Sequence, residues 1–299
     1  MKDFAGRTAF VTGGANGVGL GLARALLAEG CNVAIADIRP PHIETALETL
    51  DNPRAMGVVV DVSSRADVAR AAEAVEARFG VVTLLFNNAG VNLFQSIEES
   101  SYDDWDWIMG VNLHGPINGV MTFVPRMIRA GQGGYVVNTA SMAGLLAAGV
   151  CGIYNTTKFA VRGLSGSLRA SLAPHGIGVS VLCPGLVKSY IYASDEIRPE
   201  ALKAGAKPVN SEFVQRLAQV HEFGMEPEVI AARVLEAMRE DRFHIFPHPE
   251  FREELAEVFG EILADFRDYP PDPGHAQRVD FEKTRRESYR KQRRGLKET

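Results

Sequence analysis

Tyr154 and Lys158 stand four residues apart in the run 153–160. On a helix that spacing puts both side chains on one face. A lysine ammonium beside a tyrosine favours the phenolate and lowers its pKa from about 10. The product is a base able to take the proton of an alcohol as the carbinol hydrogen departs as hydride. Ser141, thirteen residues earlier and just after a strand-like run, offers a hydroxyl to the same substrate oxygen. A Tyr-x-x-x-Lys pair alone is a common surface arrangement, so its companions carry the reading.

The second chemical feature is the glycine-rich run Thr12-Gly13-Gly14-Ala15-Asn16-Gly17-Val18-Gly19. Glycines between a strand and a helix let the backbone turn sharply and approach a pyrophosphate, which then rests on the helix N-terminus. The spacing is G-x-x-x-G-x-G rather than the general G-x-G-x-x-G. Asp37 follows Gly19 by 18 residues, near the ~20 expected of a carboxylate that bonds a ribose 2′-hydroxyl. Its charge would repel a 2′-phosphate, so the expected cofactor is NAD. Arg39, close by, is the one residue that could accommodate that phosphate instead, and it keeps NADP open.

These residues need elements to position them. Short apolar runs at 8–11, 32–36, 58–60, 83–86, 135–138, 179–182 and 244–246 have strand length, and helical patterns separate them. Ser64 followed by Asp67 reads as the start of a helix that runs to Phe79 and stops at Gly80. Strands alternating with helices indicate a parallel sheet covered on both faces, an α/β, doubly wound architecture. Polar or glycine residues follow the strands at Gly13, Asp37, Asp61, Asn87, Ser141 and Pro184, the edge where such sheets bind ligands. No linker or repeat interrupts the pattern. Residues 1–264 are therefore expected to form one domain, with residues 265–299 as a C-terminal extension. Residues 189–225 read as an irregular, substrate-covering loop.

Length and composition agree with a folded enzyme of this kind. The chain has 299 residues, 46% hydrophobic and 23% charged, which excludes disordered, collagenous and disulfide-scaffold classes. A net charge of −5 argues against a nucleic-acid partner. Residues 280–299 run the other way, with eight basic residues against four acidic ones, and read as a solvated or subunit-contacting arm. Cys31, Cys151 and Cys183 have no paired spacing and read as thiols in a reducing compartment. The N-terminus lacks an apolar signal core, and no apolar run is long enough to span a bilayer. The expectation is a cytoplasmic protein without a membrane partner. His244 and His248, flanked by Pro247 and Pro249, read as structural histidines, and no metal is expected. Trp105 and Trp107 read as packing residues.

Taken together, the glycine turn, Asp37, the run Asn87-Asn88-Ala89-Gly90, Asn112, Ser141 with Tyr154 and Lys158, and Pro184-Gly185 resemble the short-chain dehydrogenase/reductase superfamily over roughly residues 4–250. That resemblance implies a Rossmann-like fold and a catalytic tetrad of Asn112, Ser141, Tyr154 and Lys158. Tyr154 would be the acid/base and Ser141 would orient the substrate oxygen. Lys158 would bind the nicotinamide ribose, and Asn112 would hold a water of the proton relay. It implies cofactor contacts from Gly13, Asn16, Gly17, Val18, Gly19 and Asp37, with Asp61 and Val62 at the adenine. Further contacts would come from Asn88, Ala89, Gly90, Tyr154, Lys158, Pro184, Gly185, Val187 and Ser189. Ser189 stands where the family usually has threonine.

A narrower resemblance, carried by 102–112, 122–128, 244–250 and the long extension, is to bacterial lignin-degradation Cα-dehydrogenases. It implies NAD-dependent oxidation of a benzylic alcohol of the β-aryl ether type. The expected substrate pocket draws on Ser141, Met142, Asn92, Phe94 and Tyr190, and the expected assembly is a homo-oligomer, dimer or tetramer. Two alternatives stay open from sequence: an NADPH-dependent carbonyl reductase on another hydrophobic ketone, and a non-catalytic NAD-binding scaffold protein.

Overall fold

The computed structural model describes residues 1, 3–206 and 211–293. Its elements run β1 Thr8–Thr12, α1 Gly17–Ala28, β2 Asn32–Asp37, α2 Pro40–Leu50, β3 Ala55–Val59, α3 Arg65–Phe79, β4 Val82–Asn87, α4 Tyr102–Met109, α5 Gly115–Ala130, β5 Gly134–Thr139 and α6 Gly152–Leu172. They continue through β6 Ile177–Leu182, α7 Ser211–His221, α8 Pro227–Arg239, β7 His244–Ile245, α9 Arg252–Ala264 and α10 His275–Arg293. The seven strands form one parallel sheet in the order β3-β2-β1-β4-β5-β6-β7. The order reverses between β1 and β4, and the crevice beyond their C-terminal ends is where this architecture binds ligands.

The strands read as apolar runs because both faces are covered. β1, β4 and β6 are buried at every position. One face packs against α1, α2 and α8 through Leu22, Leu26, Ile43, Ile230 and Val234. The other packs against α3 and α5 through Val68, Val75, Phe123 and Met127. The helix starts are set locally. The Asn16 side chain caps α1, Ser64 accepts the Asp67 N–H at α3, and Ser101 with Asp104 forms a capping box at α4. Gly80 ends α3 at φ +76°.

Two expectations are corrected. The third strand begins at Ala55, not 58, and ends at Val59. The 189–225 segment is not an irregular loop throughout. It carries α7 after short 3-10 turns at Ile191–Ile197 and Glu200–Leu202, because Val214, Leu217 and Ala218 hold a helical period inside the run. Residues 207–210 of that segment, and Arg294 and Lys297 of the basic run, lie outside the described residues. Among the described residues no helix is long and apolar enough to cross a membrane.

Candidate active site

A cleft of about 800 Å³ opens at the C-terminal edge of the sheet. The phosphate-turn residues Gly13, Asn16, Gly17 and Val18 form one wall. Gly19 lies beneath them, where a Cβ would stand 2.0 Å from the Gly13 carbonyl oxygen and 2.8 Å from the Asn88 amide nitrogen. Gly13 and Gly17 take φ of +61° and +47°, a region L side chains rarely adopt. No acidic residue stands in the first turn of α1, so its positive end faces the cleft without a counter-charge. Thr12 ties this turn to the next strand: its Oγ1 accepts the N–H groups of Asn88 and Ala89 at 2.9 and 3.0 Å. Asp37, Asp61 and Val62 line the far corner. Arg39 shares it, with its Nε buried and without a hydrogen-bond partner.

Ser141, Tyr154 and Lys158 line another part of the cleft with Pro184, Gly185 and Val187, while Ser189 stands against Gly17 of the glycine turn. Tyr154 and Lys158 occupy one face of α6, and the Lys158 Nζ lies 5.2 Å from the Tyr154 ring centroid. Nζ donates to the Thr139 carbonyl at 2.9 Å. Burial is the largest influence on both residues. It pushes the Tyr154 phenol up to about 12, against the Ser141 hydroxyl, which works to lower it. It holds the Lys158 ammonium down to about 8. The expected depression of the tyrosine by its lysine is therefore not the dominant effect in the cofactor-free protein.

Asn112 sits in a π-turn, Gly110–His114, between α4 and α5. Its side chain holds the segment after β4 in both directions, accepting the Val91 N–H and donating to the Val91 carbonyl at 2.8 Å each. Pro116, four residues on, has no N–H to offer the Asn112 carbonyl. Gly90 lies between Asn112 and Lys158: a Cβ there would make ordinary contact with Asn112 Oδ1 at 3.4 Å and Lys158 Nζ at 3.5 Å.

Not every residue expected in the substrate pocket faces it. Ser141 and Tyr190 line the cleft. Met142 is 4% exposed and packs in a small cluster with Val161 and Val181. Asn92 is buried behind the wall, where its backbone N–H donates to the Ser194 hydroxyl. Phe94 is likewise outside the cleft lining. Beside them stand Tyr192, Ile197, Leu202 and His221, from the 189–225 segment expected to cover the substrate, and Trp107, which the sequence suggested only as packing. Tyr192 and His221 face each other at 5.2 Å, and His221 Nδ1 donates to the Val187 carbonyl. His248, a structural histidine as expected, is 4% exposed and accepts the Gly185 N–H.

A glycine turn, a Tyr–Lys face and a serine converging at one sheet edge set the comparison with known proteins. The model of the short chain dehydrogenase family matches residues 7–198. The chain belongs to the short-chain dehydrogenases. It is similar to a C alpha-dehydrogenase of Sphingobium sp. strain SYK-6, 40% identical over 284 residues, covering 94% of this chain and 93% of the relative. A solved short-chain dehydrogenase from Novosphingobium aromaticivorans is 60% identical with a TM-score of 0.87, covering 99% of this chain and all of that one. A short-chain dehydrogenase from Burkholderia phymatum, solved in complex with NAD, is 35% identical with a TM-score of 0.84, covering 91% and 99%. This short-chain dehydrogenase is an oxidoreductase by family, and its fold is theirs.

Proposed function

We propose that this short-chain dehydrogenase oxidises a secondary, benzylic alcohol of the β-aryl ether type to its ketone with NAD. The observation that carries the reading is Tyr154, facing the cleft one helical turn from Lys158 and at the same end as Ser141. The similarity to the C alpha-dehydrogenase supports the substrate class. The residues present fit the cofactor. The uncompensated N-terminus of α1 suits a pyrophosphate, and Asp37 at the end of β2 suits a free ribose 2′-hydroxyl.

The bound nicotinamide supplies the hydride acceptor. Ser141 is the group that holds the substrate oxygen. Its Oγ accepts the Ala143 N–H and donates to the Pro184 carbonyl in the free protein, bonds that a substrate hydroxyl exchanges. Tyr154 takes the hydroxyl proton as the carbinol hydride leaves. Lys158, anchored on Thr139, stands beside it to stabilise the developing phenolate and to bind the cofactor ribose. Asn112, on the family resemblance, is assigned the relay water. Cofactor contacts are assigned to Gly13, Asn16, Gly17, Val18, Gly19, Asp37, Asp61, Val62, Asn88, Ala89, Gly90, Pro184, Gly185, Val187 and Ser189. The assembly proposed is a homo-oligomer, supported by Met121 on α5 and Phe159 on α6, exposed at 68% and 42%.

The test is initial rates with NAD and NADP on a β-aryl ether dimer alcohol, 1-phenylethanol, a long-chain secondary alcohol and a steroid alcohol. Fast NAD reduction with the aryl ether supports the reading. Turnover confined to the other alcohols overturns the substrate class, and preference for NADP overturns the cofactor.

A further inference from the structure

The segment above the substrate end of the cleft, residues 191–206, is tied down at one buried point. Arg198 lies on it with a side chain 2% exposed, and all three arms of its guanidinium are engaged. Its Nη2 meets the Asp104 carboxylate of α4 at 2.7 Å, and its Nε meets Asp195 at 2.9 Å. Nη1 donates to the Leu202 carbonyl at 3.2 Å. The guanidinium carbon Cζ lies over the Trp107 ring, 4.6 Å from its centroid. Asp104 is itself held: its Oδ2 accepts the Ser101 N–H, the Ser101 hydroxyl and the Gln95 amide. Two weaker ties flank the clamp, from the Asn92 N–H to Ser194 Oγ and from the Gly205 N–H to the Asp103 carboxylate.

This arrangement is out of proportion to a surface loop. A guanidinium buried this deeply is costly unless it is paired, and breaking one partner leaves an uncompensated buried charge. Arg198 reaches across 94 positions of sequence to a helix cap, and what it fixes there is the wall of the cleft. Trp107, Ile197 and Leu202 all line the cleft, and each is touched by the clamp or sits next to a residue that is. None of these contacts reaches the glycine turn or Asp37.

We propose that Arg198 is a specificity-determining positioning residue: by joining segment 191–202 to Asp104 and backing the Trp107 ring, it sets the width of an apolar wall that selects alcohols with a bulky aryl group. The substrate class rests on the function proposed above; the clamp does not. With the clamp closed, Trp107, Ile197 and Leu202 face the substrate as a fixed surface. With it open, the segment moves and the wall no longer distinguishes large from small alcohols.

The test uses the full-length enzyme carrying Arg198→Met with Asp104→Asn, which removes both charges together, and Arg198→Lys, which keeps the charge but not the fork. Three quantities are measured: hydrogen exchange of residues 191–206, the dissociation constant for NAD, and kcat/KM for a β-aryl ether alcohol and for 1-phenylethanol. The double variant is expected to exchange faster at 191–206 and to bind NAD within about 2-fold of the parent. The ratio of kcat/KM between the large and small alcohol is expected to fall about 10-fold or more, the scale on which small misplacements act. Arg198→Lys is expected to move exchange and ratio in the same direction by a smaller factor, and it carries the test if the double variant does not fold. Unchanged exchange overturns the clamp. Faster exchange with an unchanged ratio, both alcohols declining together, overturns the specificity role and leaves a structural one. A parent enzyme inactive on both alcohols overturns the proposed function instead, and the exchange data still decide the clamp.

Discussion

The imidazole of His248 accepts the Gly185 N–H on Nδ1 at 3.0 Å and, with its proton on Nε2, donates to the Leu186 carbonyl at 2.9 Å. One side chain from beyond β7 thus pins two consecutive residues of the turn that begins with Pro184 and Gly185, which line the cleft. The turn has no slack. A Cβ on Gly185 would stand 2.4 Å from the Phe251 ring and 3.2 Å from the His248 ring. His248→Ala leaves a buried N–H and a carbonyl without partners, at about 1–3 kcal/mol each. The expected outcome is a KM for NAD raised roughly 10-fold, with binding of the diphosphate end, probed by ADP-ribose, nearly unchanged. Equal losses for both ligands would contradict this.

On the proposed mechanism, Tyr154 governs the pH dependence. With burial pushing its phenol up to about 12, the free enzyme holds it protonated at neutral pH. Oxidation needs the deprotonated form and ketone reduction the protonated one. Alcohol oxidation is therefore expected to rise with pH from 6 to 10, and ketone reduction to fall. Tyr154→Phe should lower kcat by about 10²–10⁴ and flatten both profiles. A steady-state profile for each direction checks the sign.

Lys158 is a residue kept at a cost to stability. Its folded pKa of about 8 lies below the ordinary 10.5, so between those values the unfolded chain binds the proton and the folded one does not. Stability consequently falls as pH drops from 10.5 to 8, and the full penalty, up to about 3 kcal/mol, is present below pH 8. Lys158→Met removes it, offset by roughly 1 kcal/mol for the lost bond to Thr139. The cofactor-free variant is expected to melt higher than the parent at pH 7, to lose that advantage towards pH 10, and to be inactive. Thermal melts at the two pH values test this.

On the proposed function, Asp37 sets cofactor choice. Its carboxylate lines the corner of the cleft beside Arg39. Asp37→Ala removes the repulsion for a 2′-phosphate and the acceptor for a 2′-hydroxyl, each on the scale of a charged hydrogen bond of about 1.5–3 kcal/mol. The ratio of kcat/KM for NAD over NADP should drop at least about 10-fold. A ratio that does not move would shift the discrimination onto other residues.

The grouping of the candidate catalytic residues in one cleft was legible in sequence because they are local or follow strands. Tyr154 and Lys158 share a helix face, and Gly13, Asp37, Ser141 and Pro184 each follow a buried apolar run. What was hidden depends on distance and burial. Arg198 and Asp104 are 94 positions apart, and neither stretch advertises the other. Trp107 reads as packing and is packing, yet the same ring lines the cleft. Met142 stands next to Ser141, but the 3-10 turn Met142–Gly144 that Ser141 caps turns it into an apolar cluster. The Tyr154 phenol reads as acidified by Lys158. In the folded protein Nζ bonds the Thr139 carbonyl, and burial outweighs the ion.

The central claim, hydride transfer from a benzylic carbon to NAD, is tested most directly by isotope. The enzyme is incubated with NAD and a β-aryl ether alcohol deuterated at the carbinol carbon, and the reduced cofactor is weighed by mass spectrometry. The account predicts one deuterium in each NADH, formed with the aryl ketone in equal amount, and both formed about 10²–10⁴-fold more slowly with Tyr154→Phe. Ketone formed with unlabelled NADH, or no NADH from any benzylic alcohol while other alcohols turn over, would contradict it.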